Sequence, residues 1–181
     1  KNQKIMNEAI KKNGIKFGVI SGIISIVVTV LMYAIDINLF ANTWIGIGMV
    51  IFYLALGIYV VSTTKKEMGG TINFKEAFTV YFLYSVIGIV IANIFNYILF
   101  NFIDPSAKEQ ILEITINKTV EMMQKFDTPK EILKETIKGM KENDQYSIAN
   151  IIKGSAMGIV FSSIIGLIIA AIMKSKTTYN E

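Results

Sequence analysis

Four stretches of this chain carry no charged side chain: residues 17–35, 44–61, 78–103 and 155–173. Each approaches or exceeds the roughly 20 residues that span the hydrocarbon core of a bilayer. In lipid, every backbone N–H and C=O has to be bonded within its own segment, so runs of this kind can only be helices. The competing interpretation, a helix buried in the core of a soluble domain, would have to hold four times over in 181 residues that are 52% apolar. The expected fold class is therefore all-α, an integral membrane four-helix bundle. Residues 1–181 are read as a single membrane domain, with an extra amphipathic helical hairpin at 104–146 between spans three and four.

Helices in lipid associate where small side chains let backbones approach closely. The last span places a small residue at every fourth position, Gly154, Gly158, Ser162, Gly166 and Ala170. The first repeats the pattern with Gly14, Gly18 and Gly22. These two seams predict that spans one and four are packing neighbours. Span three is the most polar, with Tyr81, Tyr84, Ser85, Gly88, Ala92, Asn93 and Asn96 on one broad arc at about 100° per residue. Asn93 and Asn96 are the amides deepest in any span. They are read as hydrogen-bonding glue between helices, with a polar pathway as the alternative.

Helix punctuation marks the connections. Asn73 followed three residues later by Glu76 forms a capping box ahead of span three, Asp104 and Pro105 pair as N-cap and first helical residue, and Thr128-Pro-Lys-Glu131 repeats the capping-box pattern. Leu112, Ile116, Val120 and Met123 form one narrow apolar stripe in 104–146, and Leu133, Ile137 and Met140 form another. Such stripes suit packing on each other, on the membrane surface or on a protein partner.

Seven lysines stand against nine acids in 104–146, whereas the N-terminal segment, the 62–77 connector and the C-terminal tail together hold ten lysines against four acids. By the positive-inside rule both termini are cytoplasmic and 104–146 is extracytoplasmic. The positive flank and apolar run at the N-terminus could suggest a signal peptide. The run is too long for that, and it is read as an uncleaved first span. All 18 basic residues are lysine, which with the abundance of Ile and Asn points to an AT-rich bacterial genome and hence a bacterial inner membrane.

The chain has no cysteine and no histidine, which removes disulfides, thiolate chemistry, imidazole acid–base catalysis and most transition-metal sites. No phosphate-cradling glycine loop, nucleophile elbow or metalloprotease motif occurs. Asp36 and Asp104 border spans, where capping is their simplest role. The chain is thus read as non-enzymatic, with no catalytic, cofactor-binding or metal-binding residues. Its first expected partner is the lipid bilayer rather than nucleic acid, with a protein partner on the 104–146 hairpin and a homo-oligomer left open. A small oligomeric transporter or channel using the polar face of span three is the alternative function.

The stretches Asn13-Gly-Ile-Lys-Phe-Gly18, Phe74-Lys-Glu-Ala-Phe78 and Tyr97 to Pro105, with the helical excursion before span four, resemble domain-of-unknown-function family forty-one ninety-nine. The resemblance implies a four-span inner-membrane protein of a kind found mostly in Bacteroidetes, and it implies no activity. Asn73, Lys75 and Glu76 fall in the family-like stretch and are, with Asn93 and Asn96, the candidate functional residues.

Overall fold

The computed structural model describes residues 2–175, with side chains from Glu8 onward. Lys1, Lys176 and Glu181, which entered the charge comparison, lie outside the described residues. Six α-helices are found among the described residues: α1 (Asn2–Ile35), α2 (Thr43–Glu67), α3 (Phe74–Ile98), α4 (Pro105–Lys125), α5 (Lys130–Glu142) and α6 (Ile148–Met173). Four of these, α1, α2, α3 with its continuation to Ile103, and α6, are long and apolar enough to cross a membrane.

The caps explain the boundaries. Asn42 accepts from the backbone N–H of Trp44 and Ile45 to start α2. Gly69 and Gly70, at φ of 83° and 85°, end it. The Gly70 N–H reaches the Lys65 carbonyl and the Gly69 N–H that of Lys66, a Schellman closure that needs the left-handed conformations glycine adopts freely. The Asn73–Glu76 capping box is complete in both directions, and Asp104 accepts from Ser106 and Ala107 to open α4. The capping box expected at Thr128 does not form. Instead α5 begins after Pro129 without a side-chain cap, so the proline stands just outside the helix rather than at its first position.

The packing differs from the seam-to-seam expectation, because α3 lies between the two small-residue faces and both α1 and α6 pack along it. A methyl group at Gly14, Gly18 or Gly22 would sit 2.7, 2.7 and 2.6 Å from the Cβ atoms of Leu83, Ile87 and Ile91. The regular four-residue step on both helices makes this a parallel ridge-in-groove contact. On α6 the seam is used at one end. A methyl group at Gly166 would lie 2.6 Å from Tyr81, one at Gly158 would be 3.9 Å from Ile89, and one at Gly154 would meet nothing within 4 Å. Gly166 and Ala170 are buried and Ser162 is half-buried. Leu83, Ile87 and Ile91 on α3, rather than glycines on α6, are the partners of the α1 groove.

The remaining helices divide between the two ends of the bundle. At the end that carries the start of α1, α2 is buried through Gly57, Val60, Val61 and Thr64. Its other half, around Trp44, Ile47, Val50 and Ile51, is exposed. At the opposite end α3 runs into a π turn, Leu99–Ile103, and α4 lies across it and across the 3-10 turn Ile37–Ala41. Leu99, Phe100, Ala107 and Ile111 form a second small core there, with the Tyr146 ring tilted 34° against Phe100 at 4.2 Å between ring centroids. α4 thus buries a face offset from the expected one, Ala107 and Ile111 together with Ile116, while Leu112, Val120 and Met123 are half-buried. No residue of α5 is buried.

Candidate functional site

Because α2 and α6 meet α3 closely at one end and diverge toward the other, they leave a cavity of about 440 Å³ among the four long helices. This lies within the range of small-molecule pockets. Its back wall is the polar arc of α3, Tyr81, Tyr84, Ser85, Gly88, Ala92, Asn93 and Asn96. Ser21 and Ser25 of α1, Met49, Val50, Tyr53 and Leu54 of α2 and Phe161, Ser162 and Ile165 of α6 contribute most of the rest. No charged side chain lines it.

Much of the polar lining is already committed to protein. Ser21 donates to the Gly18 carbonyl at 2.8 Å and Ser85 to that of Phe82 at 3.0 Å. Tyr84 donates to the Tyr53 carbonyl at 3.0 Å, and Tyr53 to that of Ser21 at 3.4 Å. These two tyrosines tie α3 to α2 and α2 to α1. Asn93 donates to Ser155 Oγ at 2.6 Å, bridging α3 and α6, and Ser155 in turn donates to the Ile151 carbonyl. The side chain of Asn96, half-buried and one turn farther along, has no hydrogen-bond partner among the described residues and lines the cavity. The two amides thus divide the roles that their sequence positions suggest for both.

The floor of the cavity is closed by Tyr81 and Tyr84 against Val60 and Val61 of α2 and Ile169 and Ala170 of α6. Polar ties hold that end shut. Asn13, 1% exposed, donates to Thr64 Oγ1 at 3.2 Å and Glu67 Oε2 at 3.1 Å. Lys65 Nζ reaches the Met173 carbonyl at 3.0 Å, and Ser175 pairs with Ile72 through backbone and side chain at 2.8 and 3.0 Å. In the sequence Asn13 stands out only as part of a family-like motif. An amide one position before a glycine seam is its one visible signal.

Asn73, Lys75 and Glu76 sit at this closed end, away from the cavity. Asn73 and Glu76 are occupied in capping α3, and the Lys75 carbonyl accepts from Thr79 at 2.7 Å. At the other end Tyr33 donates to Asp104 at 2.7 Å and Lys108 pairs with Asp144, also at 2.7 Å. Hydrogen bonds from Ser106 and Tyr33 hold the Asp104 carboxyl below its ordinary value against some desolvation. Burial disfavours charge on Asp144, but its bonds from Lys108 and the Tyr146 N–H outweigh that and lower its pKa. Burial pushes the Tyr146 phenol up to about 12. These groups fasten the hairpin end and leave no free acid or base beside the cavity. No cluster of three or more acids suited to a metal ion occurs among the described residues.

Fold and site together define an all-helical protein with four membrane-length helices around an uncharged cavity. The chain belongs to the family described as protein of unknown function DUF4199, whose model matches residues 16–175. No curated protein and no solved structure matches it.

Proposed function

We propose that this is a non-enzymatic multi-pass protein of the bacterial inner membrane that works by holding an uncharged molecule in the cavity among its spans. The observation that carries this reading is Asn96, an amide side chain without a protein partner on the wall of a cavity whose other amide is tied to Ser155. A polar group in a lipid-embedded helix is costly when unpaired, which favours a bound molecule as its partner. The lack of charge around the cavity argues against an ion path, and the absence of a paired acid and base argues against chemistry on the occupant. The lysine distribution supports cytoplasmic termini, with the α4–α5 hairpin outside and free to meet a protein partner.

The two amides can be separated experimentally. Asn93→Leu removes a helix–helix hydrogen bond and is expected to lower stability in detergent by roughly 0.6 kcal/mol, with an upper range of 1–2. Asn96→Leu is expected to leave stability unchanged and to abolish retention of whatever molecule co-purifies with the parent. If Asn96→Leu destabilises the protein as much as Asn93→Leu does, and occupancy is unaltered, the amide is structural and the reading fails. A second reading, a small transporter, draws on the cavity being closed at one end and flared at the other. Flux into liposomes that survives both substitutions would remove the polar arc of α3 as its path, and no flux from the parent would remove the reading.

A further inference from the structure

We propose that the occupant is a lipid that enters sideways from the bilayer, its uncharged hydrogen-bonding group at Asn96 and its acyl chain along the cavity toward Tyr81. This rests on the reading that the cavity is a binding site. Three observations name the chemical class.

The first is the opening. Val50 and Phe161 line the cavity on α2 and α6, yet they are 53% and 62% exposed. They form lips rather than walls. Phe161 stands 13 residues after the start of α6 at Ile148 and 12 before its end at Met173. At 1.5 Å per residue that is about 20 Å from the hairpin end, in the middle of the span. Val50 stands 7 residues after the start of α2 at Thr43, about 10 Å from the same end. The opening between the two spans therefore runs from about 10 to 20 Å deep and faces hydrocarbon, so what enters has to be soluble in it.

The second is the gradient along the cavity. From Tyr81 to Asn96 the α3 wall runs 15 residues, about 22 Å. Its uncommitted amide is at the hairpin end, where Asn96 lies about 12 Å below Asp104. Its closed end is made of rings and aliphatic side chains. A polar group at Asn96 with one chain running inward toward Tyr81 follows the polarity of the cavity.

The third is charge. With no lysine or acid in the lining, a phosphate or carboxylate at Asn96 would be left without a counter-charge. A hydroxyl or an amide can both give to and accept from the Asn96 side chain, an ester can accept from it, and the side-chain carbonyl of Asn93 is one turn away on the same arc.

The test uses the full-length chain in mild detergent, with monoolein as probe and native mass spectrometry as readout. One saturable monoolein per chain is expected. Ala92→Phe, which fills the cavity without removing a polar group, and Asn96→Leu should each weaken it at least tenfold. Ile94→Phe, on the exposed side of the same helix, should not change it. Sodium oleate, a similar chain with a charged end, should bind at least tenfold more weakly than monoolein. Should Ala92→Phe fail to fold in a thermal scan, Val50→Phe at the lip replaces it.

Equal monoolein binding by the parent, the filled variant and Asn96→Leu would place the lipid on the outer belt and overturn the proposal. Tighter binding of oleate would overturn the assignment of an uncharged group. A parent that retains a water-soluble molecule and ignores monoolein overturns the lipid while leaving the cavity a binding site. A parent with no occupant and no saturable binding overturns both.

Discussion

At the scale of single residues, glycines that look alike in sequence differ in what surrounds them. A methyl group added at Gly18 would lie 2.7 Å from Ile87 Cβ and 3.0 Å from the Tyr84 carbonyl oxygen, so it meets backbone that cannot step aside. Gly154 has open space. Gly18→Leu is therefore expected to lower stability by about 1–3 kcal/mol, the usual cost of overpacking. Gly154→Leu should stay within about 0.5 kcal/mol of the parent, as surface changes do. Reversible unfolding in mixed micelles measures both. The spacing of small residues was legible in the sequence, but which partner each one meets was not, because a groove is defined by the ridge of another helix. Asn73 and Glu76 were legible for the opposite reason, since a cap is completed within four residues. Asn96 stood out as a deep amide, yet its lack of a partner emerges only once Ser155 is seen to pair with Asn93.

At the scale of elements, α4 and α5 show how far a periodic stripe can be trusted. The stripe on α4 implies burial of Leu112, Ile116, Val120 and Met123, yet the helix turns by about one position to bury Ala107 and Ile111 with Ile116. The π turn before it, with the Asp104 N–H bonded to the Leu99 carbonyl at 2.8 Å, adds a residue to the last turn of α3 and resets the register of α4. Nothing in a 3.6-residue pattern announces that insertion. The same end of the molecule is acid-sensitive. Asp104 and Asp144 titrate below their unfolded values when the hairpin is docked, so their contribution is fully present above the unfolded carboxylate pKa, about 3.9. It is lost as pH falls below that value through the lowered folded ones. The hairpin should therefore loosen below about pH 4. Proteolytic nicking of residues 104–147 should rise there in the parent, and Asp144→Asn should show raised nicking at neutral pH with a weaker dependence on pH.

At the scale of the whole molecule, the number of membrane-length helices followed from uncharged runs alone, whereas their extension into charged flanks and the arrangement around α3 did not. Composition says which segments avoid water, whereas neighbours are chosen by shape. The proposed orientation is open to direct measurement, helped by the absence of native cysteine. Asp127→Cys, between α4 and α5, should react with a membrane-impermeant maleimide in intact spheroplasts. Lys66→Cys, at the end of α2, should react only after the membrane is broken, and the reverse pattern would invert the topology. The α1–α3 contact also carries a consequence in time. The groove of Gly14, Gly18 and Gly22 is complementary to a ridge ending at Ile91, made 69 residues after Gly22. At 5–20 residues per second of synthesis the first helix waits roughly 3–14 seconds, with only α2 beside it, for the surface it fits. Faults in that groove should appear first as nascent chains destroyed by membrane quality control, before any mature protein exists to lose its activity.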